Sequence, residues 1–467
     1  MFEQIERFQD RLAVIESEHR FYSYRDLVTV GNSFVRDIPT RSLLFFVGTN
    51  TFESFACYTA AVRKRVVLAM IPPTIEKALF DHLLEVYKPY GLFLPAERDD
   101  LAWGERLTGR QRCSIYLCPD DIHAQLHDDL ALILSTSGST GSPKLVRLSE
   151  KNIRSNTEAI IQYLGIGEDD RAITTMPMTY SYGLSIINTH LCSGATVIAC
   201  EAPLMDRLFW TMLKEEKATT FGGVPFHYEI LKKLRFARTD TPTLKYLTQA
   251  GGHLSKELTK EFHEICAQKG IRFIVMYGQT EATARMSYLP YLSAPKKLGS
   301  IGVPIPGGHF SLEGTSGETI EEAEQPGELV YRGENVSMGY AESPADLARG
   351  DDNKGVLRTG DMARRDTDGF YYIVGRKKRF LKIFGNRVNL GDLEEFLKEI
   401  GVDAACAGRD DLVRVFMTDQ DRMDDARAFL SQRTHIHPSA FDIVYLPTIP
   451  RNDSGKILYS KLPETGR

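Results

Sequence analysis

Between about residue 130 and residue 277, short runs of β-branched and aliphatic residues alternate with stretches whose apolar positions repeat at helical spacing. Leu132 to Leu134 predicts a strand, and Asn152 to Leu164 a helix closed by Gly165. ATVIAC (195–200) predicts a strand and Asp206 to Lys217 a helix. LKYLTQA (244–250), Ser255 to Lys269 and IRFIVMY (271–277) then predict strand, helix and strand. This order favours a largely parallel sheet covered by helices, in which ligands gather beyond the carboxyl ends of strands. The loops after Leu134, Ala250 and Tyr277 are therefore the first places to look. After about residue 285 glycine and proline become frequent (GSIGVPIPGG, QPGELVYRGENVSMGY), which predicts short strands with tight turns, as in a distorted barrel. From residue 379 the pattern predicts a small α+β unit with helices near 391–400 and 424–433. Its boundary falls at Gly375-Arg376-Lys377-Lys378, and no internal repeat interrupts the chain.

Composition narrows the class. The 467 residues are 42% hydrophobic and 25% charged, enough for a large core in one large and one small domain, or in about three units. A net charge of −5 argues against a generic nucleic-acid binder, which needs a basic face. The seven cysteines are scattered without metal-site spacing, and read as free thiols in a reducing cytosol. The charged start MFEQIERFQDRLAVIESEHRF lacks the apolar core of a signal peptide. No run approaches the roughly 18 apolar residues of a membrane span. A cytoplasmic protein is expected.

Four segments could carry chemistry, each with a plainer reading beside it. In STSGSTGSPK (135–144), small residues let backbone N–H groups approach an anion, with Lys144 as a point charge. Gly138, Gly141 and Lys144 are spaced by threes, so this is not a Walker A loop; a surface turn or an interdomain linker is the alternative. In YGQTEA (277–282), Thr280 can donate to a phosphate oxygen and Glu281 can hold a hard divalent cation, or the threonine simply caps a helix. RTGDMARRDTDGFYYIVGRKKRFLKIFGNRV (358–388) places Asp361 in a Gly-flanked turn, where a carboxylate can accept both hydroxyls of a ribose. Arg376 and Lys382 are fixed positive groups there. A solvated basic hairpin is the plainer reading, and one short cluster in an acidic chain is weak support for nucleic-acid contact. PRNDSGKILYSKL (450–462) presents Lys456 after a turn, which by itself reads as an exposed lysine.

The order of these blocks resolves more than any one of them. A Ser/Thr-rich glycine loop, YGxTE, TGD, GRxKxxxK and a terminal PRNxxGK resemble the adenylate-forming superfamily of acyl- and aryl-CoA ligases, luciferases and stand-alone adenylation domains. The resemblance runs from about Tyr22 (FYSYRDL) to Lys456. It implies an α/β fold with a large N-terminal domain of helix-covered, mostly parallel sheets plus a distorted β-barrel (1–377), and a small α+β C-terminal domain (378–467) that turns about a hinge near Lys378. It also implies ATP, Mg²⁺ and a thiol acceptor, either coenzyme A or the phosphopantetheine of a separate carrier protein. Thr136, Ser137, Gly138, Ser139, Thr140, Gly141 and Lys144 match the loop that closes on the β- and γ-phosphates. Thr280 matches the α-phosphate contact, Glu281 the magnesium ligand, Asp361 and Arg376 the ribose contacts, and Gly251, Gly252, Tyr277 and Gly278 nucleotide-side positions. Lys456 matches the lysine that bridges acid and phosphate during adenylation. The Lys382–Val388 segment replaces it for the thiol step, with Lys382 a candidate for that half-reaction.

Three departures bear on these expectations. Arg379 stands where the family usually has an acidic residue after the hinge. The family's early block appears as VRKRVVLAMIPP (62–73), which implies an abbreviated N-terminal part, and Tyr180 in MPMTYSYGLS (176–185) stands where many acyl-CoA ligases have histidine. This block offers no carboxylate to pair an ammonium group, which disfavours an ordinary α-amino acid. A small carboxylic acid with an apolar or aromatic body is expected, walled by Tyr180, Tyr182, Gly183, Val224, Pro225, Phe226 and Ala250, with core packing the alternative role for one of the two tyrosines. The rivals are delivery of the adenylate to an amine, and a catalytically silent nucleotide-binding relative.

Overall fold

A computed structural model describes residues 1–110, 112–118, 124–135, 145–384, 386–451, 455 and 457–463. These group into two compact units, one of residues 1–135, 145–309 and 331–357, the other of residues 310–330 and 358–463.

The first unit carries two sheets. In the nine-stranded sheet, Arg272–Tyr277, Tyr246–Gln249, Thr220–Gly223, Arg171–Ile173, Thr196–Ile198 and Leu12–Glu16 run parallel in that order, with antiparallel pairs only at its edges. The expected helices are present and their ends have local causes. Ser149 and Asn152 form a capping box at the start of Glu150–Leu164, which Gly165 closes at φ 71°. The side chains of Asp206 and Ser255 accept from backbone N–H groups at the starts of Arg207–Glu215 and Lys256–Gln268.

Two features differ from expectation. The strand Leu130–Ser135 belongs to a second, eight-stranded sheet, between the parallel Val67–Ile71 and the antiparallel Leu145–Ser149. Its fully buried neighbours Leu43–Val47, Val67–Ile71 and Gly91–Pro95 build a parallel centre of their own. A helix also spans Ser181–Cys192, inside the MPMTYSYGLS block and beyond it, with Ser181 to Leu191 all buried. Near its end His190 is buried; its Nδ1 lies 2.8 Å from the Ile186 carbonyl oxygen and its Nε2 has no partner among the described residues. Burial lowers its pKa from 6.5 to about 4. The unfolded chain therefore binds the proton more tightly. Stability from neutral His190 is complete above pH 6.5 and is lost as the pH falls toward 4, by about 3 kcal/mol. His190→Gln is expected to flatten the stability–pH curve between pH 6.5 and 4, as read from denaturation midpoints.

His309–Glu313, Gly327–Arg332, Val356–Arg365 and Tyr371–Arg376 form a four-stranded sheet that lies mainly in the second unit, and no closed barrel occurs among the described residues. The C-terminal part is α+β: Ala404–Arg409, Leu412–Met417 and Phe441–Tyr445 form a sheet. Helices Leu390–Glu399 and Met423–Thr434 bring Leu393, Leu397 and Leu430 to the core it shares with Val413, Val415 and Ile443.

Candidate active site

Of three adjacent parallel strands, two end level, with Gly223 opposite Gln249, and the third, with Val275 opposite Gln249, runs two residues further to Tyr277. Their carboxyl ends lead into Val224-Pro225-Phe226, Ala250-Gly251-Gly252 and Tyr277-Gly278. Segments far apart in sequence thus meet on one edge, where α/β sheets bind ligands. Tyr182, Val224 and Ala250 are buried in one apolar cluster with Met176, Ile274 and Met276, and the half-buried Tyr180 packs against it. Tyr182 donates its hydroxyl to the Thr248 carbonyl at 3.0 Å and is almost fully buried. Tyr180 meets the Tyr182 ring edge-on at 6.4 Å. Its hydroxyl would lie 2.6 Å from a Cβ on Gly251, so that glycine is needed for the approach. Gly183 serves packing, since a side chain there would collide with the Pro177 carbonyl. Phe226 is exposed on the first turn of the helix Pro225–Lys233.

The YGQTEA segment is a 3₁₀ turn, Thr280–Ala282, not a threonine-capped helix. The Thr280 hydroxyl lies 3.1 Å from that of Ser181, which joins this turn to the MPMTYSYGLS block. Glu281 Oε1 accepts from the Tyr340 hydroxyl at 2.7 Å, and its backbone carbonyl accepts from Ser337 N at 2.9 Å. Burial first, and then Glu281, push the Tyr340 phenol above its ordinary pKa. The turn is braced from behind. Asn335 donates to the Ala282 and Arg285 carbonyls at 2.9 and 3.2 Å, while Asn156 donates to the Arg285 carbonyl at 2.7 Å. Among the described residues no three His, Cys, Asp or Glu side chains gather as a metal site. Glu281 Oε2 carries no hydrogen bond among them. One hard carboxylate oxygen free to meet a cation fits Mg²⁺, which is commonly held by one or two carboxylates together with substrate phosphates.

In the second unit Asp361 lies on the strand Val356–Arg365 rather than in a turn; Gly360, at φ 71°, bends the strand just before it. Asp361 is buried, stands in register with Arg376 and pairs with its Nε at 3.1 Å, leaving Arg376 half-exposed. The carboxylate and guanidinium expected at a ribose are thus together. Lys382 is exposed on Phe380–Ile383, and its backbone N donates to Asp410 at 2.8 Å. The basic run is largely matched by carboxylates: Lys377 pairs with Glu328 at 2.7 Å and Arg379 with Glu394 at 2.8 Å. Arg379 also donates to Tyr459 and to the Cys406 carbonyl, and stacks over the Tyr459 ring. The arginine that replaces the usual acidic residue therefore has its own partners within this unit.

Thr136, Ser137, Gly138, Ser139, Thr140, Gly141, Lys144 and Lys456 lie outside the described residues, as does the Lys378 side chain. The flanks of the glycine loop are informative. It departs at Ser135 and returns at Leu145, which face each other in an antiparallel pair. Ser181, Tyr340, Asn335 and Arg285 were not singled out by sequence reasoning. Of these only Arg285 left a signal, a charge set among the small and apolar residues of ATARMSYL. A cleft of about 610 Å³ elsewhere in the first unit is lined by Arg41, Arg65, Asp128 and Glu150 among others, and by none of the candidate residues.

Comparison with known proteins accords with this geometry. The family model described as AMP-binding enzyme matches residues 1–341. A feruloyl-CoA synthase of an Amycolatopsis species is 29% identical over 73% of this chain and 70% of its own length. A sulfoacetate–CoA ligase of Cupriavidus necator is 28% identical over 72% of this chain and 67% of its own. An o-succinylbenzoate CoA synthetase of Bacillus subtilis, solved with its acyl-adenylate intermediate, superposes with a TM-score of 0.82 at 20% identity. That match covers 100% of this chain and 98% of the other, and it establishes the fold. The chain belongs to the AMP-binding enzyme family, within the adenylate-forming superfamily, and is an ATP-dependent acid–thiol ligase.

Proposed function

We propose that this enzyme activates a carboxylic acid with an apolar or aromatic body and passes the acyl group to the thiol of coenzyme A. The observation that carries the substrate class is the apolar wall of Tyr180, Val224 and Ala250 at the ends of adjacent strands, beside the Thr280 turn. A relative named as feruloyl-CoA synthase supports the same class. An ordinary α-amino acid would leave its ammonium group without a carboxylate in the 176–185 block.

In this reading a carboxylate oxygen attacks the α-phosphorus of ATP, a P–O bond breaks, and pyrophosphate leaves. The acid is already ionised at neutral pH, so no general base is needed. Thr280 donates to the α-phosphate, Asp361 and Arg376 hold the ribose, and Thr136 to Gly141 with Lys144 enclose the outer phosphates. Gly251, Gly252, Tyr277 and Gly278 leave room for the nucleotide. Lys456 aligns acid and phosphate. Glu281, together with the phosphates, would hold Mg²⁺, which when bound would neutralise the charge that builds on pyrophosphate. The C-terminal domain then turns about Lys378 and the segment from Lys382 replaces Lys456. The thiol sulfur bonds to the acyl carbon, AMP departs, and the thiol proton goes to solvent. A separate carrier protein's phosphopantetheine, or an amine, is the alternative acceptor, and a reducing cytosol suits seven cysteines that form no disulfide among the described residues.

ATP–pyrophosphate exchange over a panel of acids tests the first half, and separate supply of coenzyme A, a carrier protein and amines tests the second. Exchange confined to α-amino acids would overturn the substrate class. Glu281→Gln is expected to raise the Mg²⁺ concentration for half-maximal exchange by about 10-fold or more. An unchanged Mg²⁺ requirement would remove Glu281 from the metal site.

A further inference from the structure

Arg285 follows the Thr280–Ala282 turn closely and is only 2% exposed. Its guanidinium donates to the Tyr163 hydroxyl at 3.3 Å, approaches the Met276 sulfur at 3.4 Å, and lies 4.9 Å from the centre of the Tyr182 ring. Its Nε is buried without a partner, and no carboxylate pairs with it among the described residues. Arg147, also fully buried, is treated differently: it is satisfied by carbonyls and by Asp352. Removing a guanidinium from water without an anion is costly, and such groups are normally paired. Arg285 is nonetheless held firmly, because Asn156 and Asn335 both donate to its backbone carbonyl. Its contacts Tyr182, Met276 and Tyr163 belong to, or pack against, the same apolar cluster as the acid-pocket walls Tyr180, Val224 and Ala250.

We infer that Arg285 is a specificity residue that pairs with a second anionic group on the acid, a carboxylate or sulfonate remote from the one that reacts. This rests on the acid-activation reading above and narrows it to acids with an apolar body and an anion at the far end. A guanidinium is suited to the task because its planar fork meets a carboxylate through two parallel hydrogen bonds. A neutral acid of the same skeleton would leave that buried charge unanswered.

The test uses the full-length enzyme with matched probes: benzoate against the three benzenedicarboxylates and 4-sulfobenzoate, hexanoate against adipate, and cinnamate against 4-carboxycinnamate. Pyrophosphate exchange and calorimetric binding are both read. At least one dianion is expected to exceed its neutral-ended partner by about 100-fold in kcat/KM and in affinity. Arg285→Met should abolish that preference by lowering kcat/KM and affinity for the dianion far more than for its neutral-ended partner, and Arg285→Lys should keep part of it. Equal use of both members of every pair by the wild-type enzyme would overturn the assignment, whatever the variants do. So would an Arg285→Met variant that loses both members equally, since a guanidinium serving only to wedge aromatic rings apart would behave so. Arg285-dependent dianion binding without exchange would support the subsite and sink the ligase reading. Exchange with benzoate alone would do the reverse.

Discussion

Lys456→Ala is expected to lower ATP–pyrophosphate exchange by about 10³-fold while leaving thioester formation from a supplied acyl-adenylate near the wild-type rate. Adenylation brings a carboxylate against a triphosphate, and the proposed role of Lys456 is to cancel that repulsion and fix the line of attack. Once the adenylate exists, the repulsion is gone, and the second step is proposed to use the segment from Lys382 instead. Lys382→Ala should show the opposite pattern, with exchange preserved and thioester formation slowed. Equal loss of both half-reactions in Lys456→Ala would refute the two-arrangement scheme. Rapid-quench measurement of AMP-ester and thioester separates the two steps directly.

Arg147→Met is expected to destabilise the first unit by about 3–5 kcal/mol, the range for removing one partner of a buried charge network. Arg147 is fully buried and donates to the carbonyls of Met338, Tyr340, Arg349 and Gly350 and to Asp352. Methionine fills much of the volume but leaves four carbonyls and a carboxylate without their donor. The same arginine fixes the strand Gly339–Ala341 on Leu145–Ser149. The variant should therefore also loosen Tyr340 from Glu281 and raise the Mg²⁺ requirement. The midpoint of the first denaturant transition reads the stability, and a loss below about 1 kcal/mol would show that the network is not needed.

Much of the fold was legible because its signals are local. Asp206, Ser255 and Gly165 sit at helix ends for reasons set by their own neighbours, and the helices stop where they predict. The helix Ser181–Cys192 was not legible because it is buried on every side and has no polar face to give it a period. The sheet that receives Leu130–Ser135 depends on Val67–Ile71, far upstream, and no feature of the strand itself names that partner. Asp361 read as a turn because of its glycine, yet Gly360 takes its positive φ within a strand that shifts register after Met362. At the candidate site, motifs located Thr280 and Glu281, but not the Ser181 and Tyr340 hydroxyls that meet them. Those contacts join residues 99 and 59 positions apart.

The Tyr340–Glu281 hydrogen bond turns the protein into its own indicator. Tyr340 hangs from the eight-stranded sheet, while Glu281 follows a strand of the nine-stranded one. A cation that draws the carboxylate toward itself weakens the acceptor that the phenol sees, and phenol absorption responds to the strength of that bond. Titrating metal and nucleotide should therefore produce an ultraviolet difference spectrum that Tyr340→Phe erases, reporting occupancy before any bond in the substrate is made or broken.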